Sequence, residues 1–167
     1  LNQVDSILLD KTGTLTEGKF IIHQTFNLSA QADKQLMEYA SSLERYSNHP
    51  ISKAFDPDLA KHAVKYFSST LGAGIEGQID NKQFKMGCAQ FMDGDIPGHL
   101  TNCNVFMQQD QVLSAGFILA DTLRPNVQAM LKRFKDKDLS LLSGDTSSTV
   151  AELARQLNIP HYYAQQS

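Results

Sequence analysis

No apolar run in this 167-residue chain approaches the ~20 residues that cross a bilayer, so no membrane-spanning helix is expected. Cysteine is scarce. Cys88 and Cys103 form no CxxC pair and no cluster with histidines, which excludes a disulfide framework and predicts two reduced thiols. His23, His62, His99 and His161 lack metal-ligand spacing and read as ordinary core or surface residues. An excess of positive charge is absent too. The formal net charge is −3 and the isoelectric point about 5.9, which argues against nucleic acid or an anionic membrane as the main partner. No N-terminal signal sequence, internal repeat, low-complexity tract or charge block is visible. What remains is ordinary globular material, 41% hydrophobic and 20% charged, long enough for one large domain or two small ones.

Against this background one segment carries chemistry. Ile7-Leu8-Leu9 reads as a buried parallel strand, and it runs straight into Asp10-Lys11-Thr12-Gly13-Thr14-Leu15-Thr16. An aspartate at the carboxyl end of such a strand, followed by a polar Gly-containing loop, sits where open α/β sheets do their chemistry. There its carboxylate can attack phosphorus, Lys11 can offset phosphate charge, and backbone N–H groups around Gly13 can cradle phosphate oxygens.

Along the chain the pattern changes character twice. Phe20-Ile21-Ile22 predicts a short strand, residues 30–46 an amphipathic helix, Pro50 the first turn of a new helix, and residues 57–67 a further helix through Leu59, Ala63, Val64 and Phe67. Residues 75–79 and 83–87 predict a hairpin turning at Asp80-Asn81-Lys82, and 104–109 and 112–120 another turning at Asp110-Gln111. From Asp121 a βαβ rhythm follows. Pro125 opens a helix, Leu139–Leu142 form a buried strand ending in Ser143-Gly144-Asp145, a helix carries Val150, Leu153, Ala154 and Leu157, and Tyr162-Tyr163-Ala164 make a third short strand. The first strand belongs with this last part, so the middle is an α+β insertion.

Asp10–Thr16 looks like the phosphorylation motif of P-type ATPases, ion pumps that pass through an aspartyl-phosphate and whose catalytic domain resembles the haloacid-dehalogenase superfamily. Ser143-Gly144-Asp145 resembles their TGD motif, with serine for threonine, and Asp121-Thr122-Leu123-Arg124-Pro125 their hinge segment. Ser47-Asn48-His49-Pro50 resembles the SEHP motif of heavy-metal (type IB) pumps, and Gly72-Ala73-Gly74 their Gly-x-Gly loop. The resemblance implies an α/β fold: a truncated haloacid-dehalogenase-like parallel sheet with an inserted α+β nucleotide-binding domain. The implied boundaries are 1–19 and 119–167 for the phosphorylation domain and 20–118 for the insertion.

It also implies roles. Asp10, Lys11, Thr12, Ser143 and Asp145 form the catalytic set. Asp10 and the Thr12 carbonyl bind Mg2+, the remaining ligand lying beyond the chain end. Glu44, His49, Gly72, Gly74, Asp121 and Arg124 bind ATP. His49 stacks on adenine, Glu44 accepts from its amino group, and the glycines let the nucleotide approach the backbone. Related phosphatases carry a second aspartate two residues after the nucleophile; Thr12 stands there instead, which suits a persistent phosphoaspartate. Two departures stand out. Cys88 occupies a position where the family often has asparagine, and a lysine and a GDGxND segment that the family carries after the third strand are not in this chain, so the fragment is expected to bind nucleotide better than it turns it over. The expected whole is a soluble cytoplasmic piece of an integral membrane pump, working with its transmembrane and actuator domains. The ion is expected to be copper on the Ser47–Pro50 variant, with zinc, cadmium and lead open. The alternatives are a soluble phosphohydrolase with a cap domain and an ATP-binding regulatory module.

Overall fold

The computed structural model describes residues 4–145 and 147–165, without the side chain of Ser148. The chain forms two compact units, one from Leu1–Gly18 with Asp121–Ser167, the other from Lys19–Ala120. The first unit is built on a parallel sheet in the order β1-β8-β9, with β1 at Ser6–Asp10, β8 at Asp138–Leu142 and β9 at His161–Tyr163. Strand β1 pairs with β8 from Ser6↔Asp138 to Asp10↔Leu142, so both strands end together. Helices α2 (Val127–Lys132) and α3 (Ser147–Leu157) supply the packing partners. Leu9, Leu139 and Leu141 bury against Val127, Leu131, Val150, Ala154 and Leu157. Alternation along the strands and helical spacing along α3 thus converge on one core.

The second unit holds helix α1 (Asp33–Glu44) and a six-stranded sheet in the order β2-β7-β6-β5-β4-β3. Its strands are β2 (Thr16–Asn27), β3 (Lys65–Thr70), β4 (Gly74–Ile79), β5 (Lys82–Gly87), β6 (Val105–Gln109) and β7 (Val112–Leu123). Strands β2 and β7 carry the chain across the boundary between units. Both predicted hairpins form. Asp80-Asn81 and Asp110-Gln111 all take positive φ, the backbone that two-residue hairpin loops need to match strand twist. Helix α1 lays Leu36, Tyr39, Ala40 and Leu43 onto Ile75, Ile79, Phe84 and Met86, with Tyr39 and Phe84 ring centroids 4.9 Å apart. Strand β6 is covered on both sides, Val105 and Met107 by that core and Phe106 by a smaller cluster with Met92, Leu100 and Cys103.

Residues 57–67 are not the predicted helix. Pro57–Leu59 make a single 3-10 turn, and Lys65–Thr70 become edge strand β3, paired antiparallel with β4. The helical spacing of the apolar residues has another cause: Phe67 packs on the sheet core from strand β3, and Val64 packs on it just before that strand. Likewise Pro50 opens a five-residue 3-10 turn, Pro50–Ala54, and the strand expected at 20–22 runs from Thr16 to Asn27.

Candidate functional site

The catalytic residues expected from the sequence gather at the carboxyl ends of β1 and β8. Asp10 is the last residue of β1 and is exposed; Ser143 follows β8 directly and is 4% exposed. Their strands are neighbours in register, so the two loops leave the same edge of the sheet. Lys11–Leu15 form a wide turn broken at Thr12 (φ −76, ψ 122) and at Gly13, whose φ of 78 favours glycine. Thr16 pins this turn. It is fully buried, its hydroxyl donates to the Lys11 carbonyl at 3.1 Å, and it accepts from the Gly13 N–H at 3.3 Å. The Lys11 ammonium pairs with the Asp145 carboxylate, joining the two loops. Ser143 Oγ accepts from the Asp145 N–H at 3.2 Å, and the Ser143 N–H donates to the Tyr163 carbonyl at 3.0 Å.

Arg124 belongs to this cluster. Its guanidinium donates to the Gly13 carbonyl at 2.8 Å and its N–H to the Leu15 carbonyl at 2.9 Å, so it braces the Asp10 loop. Asp121 lies in β7 with both carboxylate oxygens buried and unbonded. The Asp10 carboxylate and the Thr12 carbonyl are hard oxygens, of the chemical kind that hold Mg2+ together with phosphate and water. Among the described residues no group of three or more His, Cys, Asp or Glu side chains is placed to bind a metal.

Glu44, His49, Gly72 and Gly74 come together in the other unit, around a cleft of about 490 Å³. Such a volume suits a ligand of nucleoside size. Glu44 ends α1 at 7% exposure, and its Oε2 is buried with no hydrogen-bond partner. Burial pushes its carboxyl up to about 7, against the lowering pull of a Ser47 hydrogen bond. A buried acceptor left open is costly, and Glu44 lines the cleft. His49 is exposed, and its Nδ1 accepts from the Ile51 N–H at 3.3 Å. That contact assigns the neutral ring's proton to Nε2, leaving a donor free.

The two glycines serve different ends. Gly72 has φ +72 with nothing within 4 Å of an added Cβ, open space beside the cleft. At Gly74 a Cβ would meet the Met86 carbonyl oxygen at 2.3 Å, Phe91 Cδ1 at 2.6 Å and Gly87 Cα at 2.9 Å. Close pairing of β4 with β5 therefore accounts for Gly74, a reason other than the nucleotide approach expected from the sequence. Gly74→Ala is expected to cost about 3 kcal/mol by overpacking, and Gly72→Ala about 1 kcal/mol through its backbone alone. Urea unfolding of the two variants checks the order, and equal midpoints would sink it.

Tyr46 and Phe67, which line the cleft, were not singled out from the sequence as site residues. Their rings sit 5.6 Å apart and form an apolar wall. Helical spacing over 57–67 masks Phe67, whereas the aromatic and hydroxyl residues across Lys65–Thr70 are the signal for a strand. A second cavity of about 580 Å³ holds none of the expected residues. Its Lys85 and Asp93 are paired with each other at 2.8 Å.

Residues 4–167 match the family model of haloacid dehalogenase-like hydrolases. The cadmium, zinc and cobalt-transporting ATPase of Bacillus subtilis is 28% identical over 99% of this chain and 25% of its own length. The copper-transporting ATPase of Helicobacter felis is 30% identical over 97% of this chain and 23% of its own length. The chain thus spans about a quarter of the curated relatives it matches. Among solved structures, the catalytic domain of the CPx-ATPase CopB-B superposes with a TM-score of 0.76 at 30% identity, covering 99% of this chain and 64% of that one.

Proposed function

This chain belongs to the haloacid dehalogenase-like hydrolase family, in its heavy-metal (type IB) P-type ATPase branch, and from that we propose that it is the ATP-binding and phosphorylation region of a metal-transporting pump. The observation that carries this reading is the unbonded Oε2 of Glu44, on a cleft walled by aromatic rings and faced by His49. The adenine amino group supplies the missing donor, the His49 ring stacks on the base or donates from Nε2, and Gly72 leaves room beside it.

At the other site Asp10 is the nucleophile. One carboxylate oxygen attacks the γ-phosphorus, the bond from phosphorus to the bridging oxygen breaks, and ADP leaves. Lys11, oriented by Asp145, and the hydroxyl of Ser143 meet the charge on the transferred phosphoryl oxygens. Arg124 and Thr16 hold the loop that presents Asp10. The Asp10 carboxylate and the Thr12 carbonyl would hold a Mg2+ ion, whose charge would offset that of the phosphate. No carboxylate stands at Thr12 to activate water, so the phosphoaspartate persists and drives a conformational change in the pump.

Among the described residues no helix is long and apolar enough to cross a membrane. We place the region on the cytoplasmic side, working with the transmembrane and actuator domains of the same pump. Copper is our first assignment for the ion. ATP titration tests the nucleotide site. The protein is expected to bind on the order of 0.1–1 mM, and His49→Gln to weaken binding by roughly 1–2 kcal/mol. Unchanged affinity in that variant would move the base elsewhere.

A further inference from the structure

Cys88 stands on the wall of the cleft that holds Glu44, His49 and Gly72. Its N–H donates to the Ala73 carbonyl at 2.9 Å, and its Sγ lies 4.0 Å from the Gly72 carbonyl oxygen. The residue before it, Gly87, packs against Gly74 so closely that a Cβ there would lie 2.7 Å from Gly74 Cα. The thiol is therefore held beside the Gly72–Gly74 loop by backbone that has no room to shift. It is a free thiol and half-buried.

The other cysteine provides the contrast. Cys103 is 8% exposed and packs on Leu100 and Phe106. Burial raises its thiol above the ordinary range, and a buried thiol of that kind is inert. Reactivity toward a solute should thus fall on Cys88 alone. A second observation marks the same cleft as a place for a ligand: the Glu44 carboxylate, more than nine-tenths buried, lines it with Oε2 unbonded.

We propose that Cys88 is a modification site at which a small disulfide, such as glutathione disulfide, closes the nucleotide cleft, and that bound nucleotide shields it. This rests on the nucleotide reading of the cleft. In the exchange the Cys88 thiol gives up its proton, and the thiolate attacks one sulfur of the disulfide. A bond forms between Sγ and that sulfur, the original sulfur–sulfur bond breaks, and the leaving glutathione thiolate takes up a proton. Cys88 is oxidised and the departing glutathione sulfur is reduced, with no further oxidant. Cys88 and Gly72 line the same cleft of about 490 Å³ as Glu44 and His49, so a tripeptide arm on Cys88 competes with the nucleoside for that space. Excess reduced glutathione reverses the step, which makes ATP binding answer to the thiol–disulfide balance around the protein.

The experiment follows adduct mass and ADP affinity together in the intact chain, its Cys88→Ser variant and its Cys103→Ser variant. Glutathione disulfide should add one glutathionyl group to the wild type and to Cys103→Ser, and none to Cys88→Ser. ADP at about ten times its dissociation constant should slow the addition about tenfold, because only the free fraction reacts. The modified wild type should bind ADP about tenfold more weakly or worse, while treatment leaves the affinity of Cys88→Ser where it was before treatment. Reduced glutathione should restore the wild type. If untreated wild type does not bind ADP, the nucleotide reading falls and this proposal with it. If it binds, and the adduct binds equally well or ADP does not slow its formation, the proposal alone is overturned. Loss of cooperative thermal unfolding in the adduct also overturns it, since binding would then be lost by unfolding and not by occlusion.

Discussion

Replacement of Asp10 by asparagine is expected to abolish acid-stable phosphorylation by ATP while leaving nucleotide affinity within a factor of about two. The amide nitrogen is no nucleophile, so the covalent step has no substitute. The loop around it should survive, because Lys11 is paired with Asp145 and the turn is pinned by Thr16 and Arg124, none of which uses the Asp10 side chain. Affinity is preserved because the cleft of Glu44 and His49 belongs to the unit Lys19–Ala120 and Asp10 to the other. The measurement is incorporation of radiolabelled γ-phosphate into the intact pump carrying this region, beside a nucleotide titration. Label persisting after Asp10→Asn would put the phosphate on another side chain. Loss of binding would put the nucleotide in the wrong unit.

Glu44→Gln should raise stability and lower affinity at once. In the unfolded chain this carboxyl titrates at its ordinary 4.5; in the fold burial moves it to about 7. Below pH 4.5 both states hold the proton and ionisation costs nothing. Between 4.5 and 7 the unfolded chain ionises first, so stability falls as pH rises. Above both values the whole penalty applies, about 3 kcal/mol. Glutamine carries no charge to desolvate. The variant should gain up to about 3 kcal/mol over wild type at pH 8 and little at pH 4, as read from urea midpoints.

Binding runs the other way. Only the ionised carboxylate offers the adenine amino group a charged acceptor, so ADP affinity should fall below about pH 7 in wild type. Glu44→Gln should bind about tenfold more weakly at pH 8 and lose this part of the pH dependence. Equal stability of wild type and variant across the pH range would mean that Glu44 carries no burial penalty.

Much of this was legible in the amino-acid order because the determinants are local. The Asp10 loop announces itself as an apolar run meeting Lys-Thr-Gly-Thr, and Ser143-Gly144-Asp145 repeats the arrangement after Leu139–Leu142. Both hairpins follow from turn residues that tolerate positive φ. Helix α1 follows from apolar spacing. The segment 57–67 failed for the same physical reason that the others succeeded. Periodicity over a few apolar residues cannot tell a short helix from an extended edge, and pairing of Lys65–Thr70 with β4 settled the matter.

Tertiary structure alone decided the rest. Chain order places Glu44, Gly72 and Cys88 far apart, and only the folding of β3, β4 and β5 beside the end of α1 brings them around one cleft. It also decided which charges are satisfied. Sequence supplies Lys11, Asp145, Arg124 and Glu44 as ionisable groups, but burial and partner distance are properties of the assembled chain. Lys11 finds Asp145, Arg124 finds the Gly13 carbonyl, and Glu44 is left with an oxygen unbonded. Which residue types can do chemistry is written in the chain, whereas which of them are held, paired or left open to a ligand depends on long-range packing, because desolvation and hydrogen bonding act through space and not along sequence.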